Sequence, residues 1–76
     1  IVDVFDEGEK ILVVAELPGV AKKEIKVELN GDVLALTTTG ARKYAKEVLL
    51  PHPATEEEMT VTVHNGVLEV RLRKAG

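Results

Sequence analysis

The chain has 76 residues, a formal charge of −3 from 10 basic and 13 acidic side chains, and no cysteine, serine, glutamine or tryptophan. A chain this short forms at most one domain, residues 1–76, and buries only about 60% of the surface its unfolded form exposes. Missing serine and cysteine remove the two commonest nucleophiles and any disulfide or thiolate-held metal, which argues against an enzyme; the interspersed charge signs argue against nucleic acid, and no apolar run reaches the roughly 20 residues of a membrane span.

Taken in chain order, period-2 alternation predicts strands almost throughout. Ile1 to Phe5 opens the series. Ile11, Val13, Ala15 and Leu17 alternate with Leu12, Val14 and Glu16; both sets are largely apolar, which predicts a strand buried on both sides. Pro18-Gly19 ends it, and Ala21 to Glu24 has room for one helical turn. Ile25, Val27 and Leu29 then alternate with Lys26, Glu28 and Asn30, the pattern of a half-exposed strand. Asn30-Gly31-Asp32 is a hairpin-type turn into Leu34 and Leu36. Tyr44, Lys46, Val48 and Leu50 form the next strand, ended by Pro51 and Pro53 because proline cannot donate to a ladder.

Thr55 to Glu58 has the spacing of a capping box, which predicts about one helical turn. Met59, Val61 and Val63 alternate with Thr60, Thr62 and His64. Asn65-Gly66 then joins this strand to Leu68, Val70 and Leu72. An Asn-Gly pair between alternating apolar residues is the strongest local hairpin signal, since both residues tolerate positive φ. The sum is an all-β fold: an immunoglobulin-like antiparallel β-sandwich of about seven strands.

Polar clusters suggest little chemistry. His52 and His64 are too few for a zinc site; Glu56-Glu57-Glu58 offers too few oxygen donors for calcium; Gly31, Gly40 and Gly66 form no phosphate-cradling pattern. Arg71, Arg73 and Lys74 lack the interleaved aromatics of a nucleic-acid surface. No catalytic residue, cofactor or metal is expected.

Glu16-Leu17-Pro18-Gly19-Val20, Gly31-Asp32-Val33-Leu34 and Asn65-Gly66-Val67-Leu68, in this order, resemble the α-crystallin domain of small heat-shock proteins. Three departures from that family stand out. Only Thr39-Gly40-Ala41 and a few neighbours occupy the place of the long loop whose strand crosses to a partner in microbial members. Val61 stands where a small residue, often alanine, is usual. Within these 76 residues no arm precedes Ile1 and no Ile-x-Ile tail follows Lys74. The resemblance therefore implies either a minimal form or a domain parted from its arms, in both cases with a shortened dimerisation loop and hence a monomer or weak dimer through an exposed strand edge.

It implies a cytoplasmic, ATP-independent holdase for partly unfolded proteins or partner tails, taken up by strand addition and side-chain pockets. The implied groove has Ile25, Val27 and Leu29 on one wall. Thr60 and Thr62 line the other if Met59, Val61 and Val63 point into the core. Sheet edges at Val2 and Val4, and at Tyr44, Lys46 and Val48, are the candidates for self-association. The alternatives are a co-chaperone-type adaptor docking on a folded partner, which the short loop favours, and an accessory component of a larger assembly such as a gas vesicle.

Overall fold

A computed structural model describes all 76 residues, and the alternation is realised as strands along most of the chain: β1 (Val2–Glu7), β2 (Lys10–Glu16), β3 (Ile25–Asn30), β4 (Val33–Thr38), β5 (Ala45–Leu49), β6 (Ala54–His64) and β7 (Val67–Lys74). A single 3-10 turn, Lys22–Glu24, precedes β3. The strands form two antiparallel sheets, ordered β1-β2-β7-β6 and β3-β4-β5. This is the expected seven-strand sandwich.

Register decides which residues face inward. Val4, Val13, Val70 and Val61 form one inward row across the first sheet, and Val2, Ala15, Leu68 and Val63 the next. In the second sheet Leu29, Leu34 and Val48 align. Between the sheets lie twelve buried apolar residues, of which Ile11, Val13, Leu34, Leu68, Val70 and Leu72 lose essentially all contact with solvent. Each contributes about 1.5–3 kcal/mol of transfer free energy.

One expectation about β2 is corrected. Ile11, Val13 and Ala15 are buried, but Leu12 and Val14 are only half-buried on the outer face, where no element of this chain covers them. Their neighbours there are Phe5, opposite Leu12, and Glu69, opposite Val14.

The turn expected over Thr55–Glu58 is also absent. These residues belong to β6, where Thr55 pairs with Arg73 and Thr60 with Arg71, so a bulge lies between them. Glu58 takes φ 60°, and its carboxylate meets Arg73 at 2.8 Å. The capping tendency of Thr55 is spent inside the bulge: its hydroxyl accepts from the Glu57 amide at 3.2 Å, as threonine does in local turns.

The motif segments pack together at one end of the sandwich. Asn65 and Gly66 adopt φ 51° and 78°, the left-handed pair of a type I′ hairpin. The Leu17 amide donates to Gly66 O at 2.7 Å, and a Cβ on Gly66 would stand 3.3 Å from Pro18 Cα. The Pro18-Gly19 turn and the Asn65-Gly66 turn are thus one packed unit.

The short β4–β5 connection is closed by Thr38. Its hydroxyl donates to Arg42 O at 3.0 Å and accepts from the Tyr44 amide at 2.7 Å, while the Thr38 amide donates to Tyr44 O at 3.0 Å. Next in line, the Thr39 amide donates to Glu24 O at 2.8 Å. Gly40 sits where any Cβ would collide with the Glu24 carboxylate, and that carboxylate accepts from the Ala21 amide at 2.9 Å. The loop is a hydrogen-bonded turn of this chain alone.

Candidate protein-binding groove

Each sheet ends in two open strand edges, β1 and β6 in the first, β3 and β5 in the second. The Ala54 amide donates to Gly31 O at 3.1 Å, which sets the start of β6 beside the end of β3. β3 and β6 therefore run along one side of the sandwich. Ile1 and Val2 of the opening segment approach Tyr44, Ala45 and Lys46 on the other side, around a cavity of about 210 Å³.

The two sides differ in what points inward. On the β1–β5 side, the inward positions include Asp6, opposite Ile11, and Lys46, opposite Leu36. Inward charge on an edge strand discourages pairing with another chain. Lys74 pairs with Asp6 at 2.8 Å. That contact, with a donated bond from the Gly8 amide, holds the Asp6 carboxyl below its ordinary pKa. On the β3–β6 side every inward position is apolar: Ile25, Val27 and Leu29 on β3, and Met59, Val61 and Val63 on β6. All six are half-buried and packed against the core.

The structure thus places Ile25, Val27 and Leu29 along the seam, and faces them with Met59, Val61 and Val63. Thr60 and Thr62 lie on the exposed outer face, opposite Arg71 and Glu69. The reason is register: Val61 pairs with Val70 and Val63 with Leu68, both fully buried, so the threonines must point outward. Period-2 alternation already marked Met59, Val61 and Val63 as one face; that the same face borders β3 depends on sheet order. Among the edge residues, Val2, Val4 and Tyr44 are half-buried, Lys46 is exposed and Val48 is part of the core.

The seam is a shallow notch. The largest concavity, a trough of about 530 Å³ on the outer face of the second sheet beside Glu28, Val33, Ala35 and Glu47, touches the seam only at Leu29. A notch with two unpaired edges and two apolar rows suits an extended chain, which brings both backbone groups and alternate side chains. No helix is long and apolar enough to cross a membrane.

Comparison with known proteins agrees with the seven-strand sandwich. Hsp14.1 of Sulfolobus solfatataricus superposes with a TM-score of 0.85 at 27% identity, over all of this chain and 72% of that one. The probable 15 kDa heat shock protein of Leptospira interrogans is 27% identical over 88 residues, covering 96% of this chain and 68% of the relative. That match is longer than the chain itself, so the relative carries residues with no counterpart here. Gas vesicle protein H of Haloferax mediterranei is 40% identical over 70 residues, covering 91% of this chain, and that match needs almost no insertion. The chain spans about a third of that relative's length, 31%. The fold is the α-crystallin-type sandwich of small heat-shock proteins, and since the GvpH profile matches residues 3–76, the chain belongs to the GvpH family.

Proposed function

We propose that this chain is a protein-binding module of chaperone type, acting in the cytoplasm without ATP or cofactor and seating extended apolar segments of other proteins between β3 and β6. The observation that carries the reading is the contrast between seams. Inward charge guards β1 and β5, whereas β3 and β6 present apolar side chains, Ile25, Val27 and Leu29 on one and Ala54, Met59, Val61 and Val63 on the other. Binding there needs no covalent step, in keeping with a chain that has neither serine nor cysteine. Partly unfolded proteins and the tails of partner subunits are the occupants this geometry suits, and self-association stays weak.

A second reading is supported by the closed β4–β5 turn and by the likeness to gas vesicle protein H. In it the module is an accessory or adaptor for a growing assembly, and the groove takes a segment of one dedicated partner. Titration of the labelled protein with a short peptide containing Ile-x-Ile tests the groove. Amide shifts confined to 25–29 and 59–63 are expected; no shifts at millimolar peptide would exclude it. Suppressed aggregation of several unrelated clients favours the general holdase, and copurification of one stoichiometric partner favours the adaptor.

A further inference from the structure

The charges along the β3–β6 seam are segregated by end. β3 begins at the Lys22–Glu24 turn and finishes at Gly31-Asp32, beside the start of β6. One end of the notch therefore carries Asp32 and Glu56, while Glu57 lies beside Thr55, Arg73 and Lys74 and Glu58 is paired with Arg73. Basic neighbours at this end are already engaged: Arg73 pairs with Glu58 and Lys74 with Asp6. Asp32 and Glu56 have no cationic partner within ion-pair distance. The other end carries Lys22 and Lys23, both exposed and without an anionic partner, while the Glu24 carboxylate is turned to the Ala21 amide.

The six residues of β3 separate these ends by about 20 Å at the usual rise per residue. That is roughly twice the Debye length of 8–10 Å at physiological ionic strength. Each end therefore acts on the charge directly over it and is screened from the other. A uniformly basic or acidic segment gains at one end and loses at the other.

Resting on the groove reading above, we propose that the seam selects a bipolar segment: two apolar residues at alternate positions, flanked on one side by basic and on the other by acidic residues. The basic flank lies over Asp32 and Glu56, and the acidic flank over Lys22 and Lys23. Charge order then decides which way the segment runs. Added strands pair in either direction with the same apolar contacts, so the apolar rows alone leave direction open.

The test uses two peptides with the same Ile-x-Ile core, one with lysines before the core and glutamates after it, the other with that order reversed. Each carries a nitroxide at its N-terminus. The lysine-first peptide is expected to broaden the amides of Asp32 and Glu56 to Glu58, and the glutamate-first peptide those of Lys22 to Glu24. Replacing Asp32 and Glu56 together with lysine is expected to weaken the lysine-first peptide by roughly three- to tenfold, as two exposed ion pairs allow, and 1 M salt should erase the difference. Broadening at one fixed end for both peptides overturns the proposal. Binding of an uncharged Ile-x-Ile peptide with equal affinity would sink the polarity alone, whereas failure of all three peptides would sink the groove as well.

Discussion

Thr38 is a single residue on which the closure of a loop depends. Its hydroxyl both donates and accepts, and the residue is buried. Thr38→Val keeps the shape but leaves the Tyr44 amide and Arg42 carbonyl without that partner, at a cost of about 1–3 kcal/mol. Urea unfolding should show the loss, and Thr38→Ser should recover most of it; equal losses would assign the effect to packing. Asp6 gives a pH dependence. Its folded carboxyl titrates below the ordinary value because Lys74 and the Gly8 amide bond its charged form. Stability from this pair is therefore complete above the unfolded carboxyl pKa and disappears as pH falls through the folded one. In Lys74→Met the Asp6 carboxyl should titrate nearer its ordinary value, read from its side-chain NMR shift; an unmoved titration would transfer the effect to Gly8. At this scale legibility follows locality. Asn65-Gly66 was readable because positive φ belongs to the residues themselves. Thr38 was not, because its partners are brought to it only by the closing loop.

Among the elements, β6 departs most from the alternation around it. Its bulge holds Glu58 at φ 60°, a region that costs a residue with a side chain about 1 kcal/mol or more relative to glycine. The exposed contact of Glu58 with Arg73 returns a fraction of that. Glu58→Gly is accordingly expected to raise the urea midpoint modestly, the opposite of glycine at Thr62, which has ordinary strand pairing; a fall in midpoint would show the ion pair outweighing the backbone. The bulge also stands where the sequence predicts a helical turn. Thr55 and its following glutamates have the composition of a helix start, and only pairing with Arg73 and Arg71 keeps the segment extended. The apolar Leu12 and Val14 similarly suggested a strand covered on both faces. Apolar residues report their preference for burial, but whether another element reaches them is settled by sheet order. Sheet order likewise sets what faces β3: alternation puts Ile25, Val27 and Leu29 on one face and the resemblance implies a groove there, while the rows that Met59, Val61 and Val63 present across the seam follow from the order of the sheets.

For the whole molecule, stability rests on one thin core. A domain of this size has about 4–11 kcal/mol in total at the usual value per residue. Leu68 is completely buried between the sheets, and Leu68→Ala should cost about 2–5 kcal/mol, a large share of that sum. Thermal unfolding followed by circular dichroism should show a strongly lowered or absent transition. A shift of only a degree or two would mean that the sheets collapse around the missing side chain. The fold class itself was fully legible, because alternate burial and hairpin turns each recur several times and reinforce one another.

The hydrogen-bonded turn after β4 also bears on how the molecule comes into being. A sandwich that lends a strand to a neighbour is complete only after two chains meet, so its formation slows and its melting point falls on dilution. Here Thr38, Arg42 and Tyr44 join consecutive strands of one chain, and folding of each copy alone is the expected outcome. The melting temperature should stay constant across a hundredfold dilution, whatever weak association occurs at higher concentration.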